Sequence, residues 1–352
     1  MTIYDIAKEA GVSPATVSRV LTGNARVSES KRKAVEELLE KYQFRPNELA
    51  RSLVKSKSRL IGLMMADVQN EYYSSLFSSC SRAADEQGYS VMVANAFSDR
   101  TAEYEVLNRF EEQQVEAIII VGGTIDRYEP VPDFVRRLQM INKKIPVLTI
   151  ARITGCDLPS IYIDDESAMR EIVEHLAKMG NRRAAVIGGS KDVRSTREKC
   201  MYFRRYAEMC GLELWDEYFD NWSDYSIEGG FTTMEAFFAK IQENGAPIPD
   251  AVIAISDMTA AGIMHSCRLH SLNIPEDISL VSFDNTSFSR VLYPPLSSVD
   301  YGYEIFGRRV IDSVVRLIEG AEVPNVQKID THLIVRISSG YVRGELKNTA
   351  FA

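Results

Sequence analysis

Two hydrophobic rhythms run along the chain. Over the first 50 or so residues, apolar positions recur at intervals of three and four, the spacing of a helix face. Ile3, Ile6, Ala7 and Ala10 form one such face and Gly11 stops it, while Thr2, with Asp5 three residues on, has the spacing of a helix-start capping box. Ser13 offers the next N-cap, and Pro14 suits a first helical position, where its missing N–H costs nothing. The second helix then carries Pro14, Val17 and Leu21 as its apolar row and ends at Gly23. Ser28 is placed to cap a third helix with the stripe Val35, Leu38, Leu39 and Tyr42. From Leu60 the rhythm changes. Strand-like runs "LIGLMMA", "YSVMVAN", "AIIIVGG" and "PVLTIA" alternate with helical stretches, as at Leu76, Cys80, Ala83 and Ala84, and the alternation resumes after residue 160 with "AAVIGG", "AVIAIS" and "ISLVSF". Continuous apolar strands separated by helices predict parallel sheets covered on both faces. Two such sets make two doubly wound subdomains, with a ligand cleft at the strand carboxyl ends.

The polar row of the second helix changes the picture of the first segment. Ala15, Ser18, Arg19 and Thr22 lie along it: short side chains around one arginine, where an ordinary surface helix carries long Lys, Glu and Gln. Two short helices joined by a tight turn, with a third completing a small core, form a helix-turn-helix. A helix enters the major groove deeply only if its outward side chains are short, which leaves Arg19 to make a bidentate contact to guanine. Ser13, Thr16 and Ser18, with the N–H groups of the helix start, suit phosphates.

Charge supports this division. The net charge of −8 is unevenly spread: residues 1–59 hold 12 Lys and Arg against 7 Asp and Glu, leaving 29 basic and 42 acidic residues for the rest. A basic head on an acidic body assigns the polyanion to the head alone. With 352 residues, 45% hydrophobic and 26% charged, the chain is of globular type and long enough for two or three domains. Its five scattered cysteines lack any CxxC pair and read as buried thiols of a reducing compartment. With no apolar signal-like start and no run of about 18 apolar residues, the expected location is the cytoplasm.

"TIYDIAKEAGVSPATVSRVLTG" followed by "RVSESKRKAVEELLEKYQFRPNELARSL" resembles the DNA-binding head of the lactose-repressor family of bacterial transcription regulators. The resemblance covers nearly every position from Thr2 to Leu53. It implies that the second helix enters the major groove and that Pro14 and Ala15 help select the operator, as in members reading purine-repressor-like or general sugar-regulon sites. The DNA-facing set it implies is Thr2, Tyr4, Ser13, Pro14, Ala15, Thr16, Ser18, Arg19, Asn24, Asn47, Leu53 and Lys55. "FRPNELARSLVKSKSR" then matches the hinge. Pro46 breaks the third helix and Asn47 can cap a short one over Glu48 to Lys55, which at about eight residues is marginal alone in water. It is expected to fold only against a second subunit and DNA. Leu53 matches the family's wedge, which unstacks a base step in the minor groove and bends the duplex.

The resemblance continues through "GLMMADVQNEYYSSLFSSCSRAADEQGY", "VEHLAKMGNRRAAVIGG", "IPDAVIAISDMTAAGI" and "IPEDISLVSFDNTSFSRVLYPPLSSV", which look like the family's effector-binding core, itself similar to periplasmic sugar-binding proteins. The implied organisation is an all-α helix-turn-helix head (1–46), a hinge helix and linker (47–59), an α/β core (60–340) and a tail (341–352). Three crossings near Tyr162, Tyr293 and Val326 divide the core into a first subdomain of about 60–161 plus 294–325 and a second of about 162–293 plus 326–340. Matching motif by motif implies an effector site of Tyr72, Tyr73, Asp164, Arg197, Lys199, Trp222, Ser256, Asp257, Asp284 and Tyr301. Aromatic faces beside carboxylates and a guanidinium suit a polyhydroxylated ring. Three positions depart from the family pattern: Lys199 stands for an arginine, with Arg197 expected to substitute, Ser256 for an asparagine, and Ala151 for an aspartate.

The implied function is a dimeric repressor of carbohydrate-utilisation genes, binding a pseudo-palindromic operator and controlled by a sugar-like effector. An activator or dual regulator answering to a non-sugar ligand or protein partner is the alternative. The tail "YVRGELKNTAFA" shows no leucine heptads of a tetramer-forming helix. Enzyme readings are weak. Glycines follow strands in "VIGGSKDVRS" and "IIIVGGTIDR" without GxGxxG or GxxxxGK[ST], no GxSxG occurs, and His175, His265, His270 and His332 have no metal-ligand spacing. No catalytic residue, cofactor or metal is therefore expected. A sugar kinase or isomerase on a doubly wound sheet would leave the first 59 residues unexplained.

Overall fold

Three helices build the first unit: α1 (Ile3–Glu9), α2 (Pro14–Leu21) and α3 (Glu29–Lys41). The structure is a computed structural model that describes residues 2–21, 27–42 and 58–340. It falls into two compact units, Met1–Ser58 and Arg59–Ala352. Asn24, Asn47, Leu53, Lys55, the hinge helix and the tail lie outside the described residues.

Thr2 closes the capping box of α1: its backbone N–H donates to the Asp5 carboxylate at 2.8 Å, and its hydroxyl accepts the Asp5 N–H at 3.3 Å. Gly11 takes φ +64° in the turn, a backbone conformation that costs glycine nothing. Ser13 opens α2 by accepting the Thr16 N–H at 3.2 Å. Ser28 does occupy the N-cap position of α3, but its side chain makes no capping bond. The core consists of Ile6, Ala7, Val17 and Val35, with Val20, Leu21, Leu38 and Leu39 packed around it. Pro14 is exposed, so the inner row of α2 is Val17, Val20 and Leu21.

The second unit holds two sheets. β1 (Leu60–Met65), β2 (Ser90–Asn95), β3 (Ala117–Val121), β4 (Val147–Thr149), β5 (Ser160–Ile163) and β10 (Val326–Ile329) form the first, in the order β10-β5-β4-β3-β1-β2 and all parallel. β6 (Ala184–Ile187), β7 (Ala251–Ala254), β8 (Ser279–Asp284), β9 (Ser297–Asp300) and β11 (His332–Ile334) form the second, in the order β11-β9-β8-β7-β6. Only β11 runs antiparallel, against β9.

All seven predicted strand runs are strands. The four that the pattern misses, β5, β9, β10 and β11, are short, and they carry the chain between sheets. The crossings therefore fall later than Tyr162, Tyr293 and Val326: Tyr162 and Val326 lie within first-sheet strands, and Tyr293 precedes second-sheet β9. The chain changes sheet after Ile163, after Asp300 and after Ile329. Backbone pairing to a neighbouring strand decides membership here, and four-residue segments such as "SIYI" and "SSVD" have too little pattern to reveal it.

Alternation sorts the first sheet's residues onto two faces. Ile61, Leu63, Met65, Ile119 and Val121 pack with Leu76 and Cys80 of α4 (Glu71–Glu86) and Phe306 and Val310 of α12 (Tyr303–Ile318). Met64, Ile118 and Ile120 meet Phe110 of α5 (Arg100–Glu112) and Phe134 of α6 (Pro132–Asn142). α7 (Asp165–Lys178), α8 (Arg194–Cys210), α9 (Ile227–Asn244), α10 (Asp257–Leu269) and short α11 (Ser287–Val291) complete the second subdomain. All five cysteines are free. Only Cys80 and Cys267 are buried, whereas Cys156, Cys200 and Cys210 are half-buried, contrary to the expectation for the whole set.

Candidate functional site: an exposed recognition helix and an acidic inter-sheet cleft

On the head, four of the six positions at and within α2 expected to face DNA are exposed. Ala15 and Arg19 are exposed, as are Ser13 and Pro14, while Thr16 and Ser18 are half-buried. Tyr4 on α1 is 73% exposed, an unusual place for a tyrosine with no packing duty. Three expected polar contacts already have local work: Thr2 is held by the capping box, and the Ser13 and Thr16 hydroxyls lie 2.9 Å apart at the start of α2. Across the head, Glu9 accepts from Lys41 at 3.0 Å and from the Tyr42 hydroxyl at 3.1 Å, tying α1 to α3.

In the core, the carboxyl ends of both sheets open onto one cleft of about 740 Å³, within the range of small-molecule sites. Asn70 caps α4 by accepting the Tyr72 N–H at 2.9 Å, which presents Tyr72 and Tyr73 at the rim of the first sheet. Their rings stand 5.0 Å apart, and Tyr72 meets Tyr301 edge-on at 6.0 Å. Tyr301 follows β9 immediately, at the second crossing, so the tyrosine wall is built where the chain changes sheet. Tyr72, Tyr73, Tyr225 and Tyr301 hold their phenol protons more tightly than usual because burial and nearby aspartates oppose the phenolate.

Six aspartates line the cleft, and three of them, Asp126, Asp165 and Asp284, lie within reach of the Lys199 charge. Asp126 ends the 3-10 turn Gly123–Asp126 after β3. That turn is pinned by Glu103, which accepts the Thr124 N–H at 2.8 Å. Gly123 there has φ +73°, and a Cβ would come within 2.0 Å of the Glu103 carboxylate, so both backbone and space require glycine. Burial raises the Asp126 carboxyl to about 7 against the opposing pull of Lys199. Asp284, at the end of β8 with φ +100°, is raised to about 8 by burial and by the neighbouring Asp257 charge. Lys199, buried on α8, is 2.7 Å from Asp165 and 4.7 Å from the centre of the Phe283 ring.

Of the expected effector residues, Tyr72, Tyr73, Lys199, Ser256, Asp284 and Tyr301 line the cleft together. The other four do not. Asp164 is the N-cap of α7, accepting from Ser167 and pairing with Lys328 at 3.2 Å, and its neighbour Asp165 faces the cleft instead. Asp257 is fully buried, accepting from Ser298 at 2.7 Å and from the Thr286 backbone at 2.7 Å and hydroxyl at 2.8 Å, so it clamps β9 to the loop after β8. Trp222 is half-buried and outside the lining, whereas Ser223, Asp224 and Tyr225, which follow it, belong to it. Arg197 is exposed and lies over the Tyr128 ring at 4.4 Å. Three arginines line the cleft: Arg127, which follows Asp126 in the chain, and Arg152 and Arg194, both beside Glu198, at 3.6 and 3.7 Å. Arg152, next to the departing Ala151, and Asp126, in a glycine-rich turn after a strand, were findable from position at strand ends.

Among the described residues there is no group of three or more His, Cys, Asp or Glu able to hold a metal ion, and no helix long and apolar enough to cross a membrane.

A helix-turn-helix head in one chain with a two-sheet, cleft-bearing α/β core is the build of a DNA-binding transcription regulator. The family model described as bacterial regulatory proteins of the lacI family matches residues 2–47, and the periplasmic binding protein-like domain matches residues 173–339. The chain is 33% identical over 331 residues to catabolite control protein A of Staphylococcus xylosus, spanning 93% of this chain and 95% of that protein. Against the same protein of Staphylococcus epidermidis it is 31% identical over 336 residues, or 95% and 97% of the two chains. A lac repressor dimer bound to operator and an anti-inducer superposes with a TM-score of 0.84 at 25% identity, covering 96% of this chain and 99% of that one. The chain belongs to the lacI family of bacterial regulatory proteins. Its relatives are transcription regulators, not enzymes.

Proposed function

We propose that the protein is a cytoplasmic, homodimeric transcription repressor that binds a pseudo-palindromic operator and is controlled by a sugar-like effector held in the inter-sheet cleft. One observation carries the reading: the cleft is lined from both sheets, with Tyr72 and Asp126 on the first and Lys199, Ser256 and Asp284 on the second, and its sides are joined at three chain crossings. A ligand touching both sides binds one relative rotation of the subdomains better than another, and that differential affinity moves the equilibrium. Operator contact falls to α2, with Arg19 reading a base, Ser13, Thr16 and Ser18 meeting phosphates, and Pro14 and Ala15 letting the backbone approach. Leu53 bends the centre of the site, with Asn24, Asn47 and Lys55 at the flanks, as the family resemblance implies. The lac repressor, solved with operator and anti-inducer, uses the same architecture.

The test selects an operator from random duplexes, then measures operator affinity with and without each carbohydrate that raises the melting temperature of the full chain. Coupling of about 1 to 3 kcal/mol predicts a 5- to 150-fold change in affinity. A carbohydrate that binds the core and leaves operator affinity unchanged overturns effector control, and failure to enrich any duplex overturns sequence-specific binding.

A further inference from the structure

The deep end of the cleft carries more negative charge than its own cations compensate. Lys199 is the buried ammonium there, and Asp165 holds it at 2.7 Å while the Phe283 ring covers it. Asp126 and Asp284 then remain. Among the described residues no hydrogen-bond donor meets the Asp126 carboxyl, whose charged neighbours are Lys199, Asp165 and Glu103. Asp284 is 8% exposed, opens onto the cleft and accepts from the Tyr301 hydroxyl and the Asp257 backbone N–H.

The guanidiniums at the rim do not make up the difference. Arg152 stacks on Tyr162 at 4.4 Å beside Glu198, and Arg194 donates to the Tyr128 carbonyl at 3.0 Å and the Thr154 hydroxyl at 2.7 Å. Both are tied to protein partners, and Arg127, the third arginine of the cleft, is exposed to solvent. Meanwhile the Asp126 and Asp284 charges act directly on the hydroxyls of Tyr72, Tyr73 and Tyr225, so carboxylates and aromatic rings share one space. Aromatic faces attract cations, and a carboxylate desolvated beside them gains most from a cationic partner. A phosphate or carboxylate group at this end would meet like charge in a poorly solvated site.

Resting on the sugar-effector reading, we infer that the effector is an amino sugar or similarly hydroxylated amine, its ammonium held at Asp126 and Asp284 against the tyrosine wall. Hydroxyls of such a ligand reach Ser256 and the rim, and its ammonium supplies the positive charge that Lys199, already paired with Asp165, does not.

The experiment is calorimetry and thermal shift on the full chain at pH 7.5 with matched sets: glucosamine, galactosamine and mannosamine, their N-acetyl derivatives, the parent hexoses and the hexose 6-phosphates. The expected result is that one amine binds at least tenfold more tightly than its N-acetyl and parent forms, with no binding of the 6-phosphate. Asp126→Asn then removes that preference, and Asp284→Asn serves as the second variant should the first fold poorly. Preference for a neutral or phosphorylated sugar overturns the inference and leaves the sugar reading standing. Equal amine binding by wild type and both variants also overturns it. Silence from every member overturns the inference and the sugar reading together.

Discussion

The Lys199 ammonium and the Asp165 carboxylate meet at 2.7 Å, with side chains only 7% and 9% exposed. Lys199 comes from the first half of α8 and Asp165 is the first residue of α7, directly after the chain leaves the first sheet. Breaking a buried pair leaves one charge uncompensated, a loss of roughly 3 to 5 kcal/mol. Lys199→Met should therefore lower the melting temperature of the core clearly. Adding Asp165→Asn should recover most of the loss, and a double variant no more stable than the single would show that the pair is not what holds this wall.

The acidity of Asp126 and Asp284 sets a pH dependence. Both carboxyls titrate higher in the folded protein, at about 7 and about 8, than an unfolded aspartate at about 4. Between those values the folded state binds more protons than the unfolded one, so stability falls as pH rises. The stabilising protons are fully present below about pH 4 and lost as pH passes through 7 to 8. Melting temperature from these groups should decline between pH 5 and 8.5 in ligand-free protein, and Asp126→Asn should flatten the slope. A slope identical in the variant would remove Asp126 as its source.

The turn that aims Asp126 depends on Gly123. Alanine there meets both a positive φ of +73° and the Glu103 carboxylate, so Gly123→Ala should destabilise the core by more than about 1 kcal/mol. Glu103→Gln keeps the acceptor for the Thr124 N–H and should be mild. Chemical denaturation of both variants measures the difference, and an inversion of their order would reject the pinning role of Glu103.

Arg19 is exposed on α2 with its small neighbour Ala15. Arg19→Ala should weaken operator binding by about 1 to 3 kcal/mol and relax preference at one base pair, while a phosphate-binding residue would weaken all sequences alike. Binding to a panel of single-base operator variants separates the two. Uniform loss across the panel would reassign Arg19 to the backbone.

Much of this molecule was legible along the chain because the signals are local. The Thr2 and Asp5 capping box, Gly11 at its turn, and Ser13 before Pro14 each depend on residues within one helical turn, and they predicted α1 and α2 directly. The seven long apolar runs became strands because burial on both faces demands continuous hydrophobicity. Ser28 shows the limit: position alone made it an N-cap, but hydroxyl geometry decided that it makes no capping bond.

The sequence by itself determined the two-part build, the basic head, the exposed Ala15 and Arg19 of α2 and six of the ten expected cleft residues. Only the tertiary structure decided where the chain changes sheet and which side chains of each loop face the ligand space. Asp164 and Asp165 are adjacent aspartates in one motif, yet the first is consumed at a helix start and by Lys328, and the second points to Lys199 and the cleft. Arg194 and Arg197 stand three residues apart on one helix, and only Arg194 reaches the cleft. Such choices rest on what packs across from each residue, contributed by strands and loops up to 164 positions away, as Lys328 is from Asp164. Composition and spacing carry no record of those distant neighbours, and the fold alone brings them into contact.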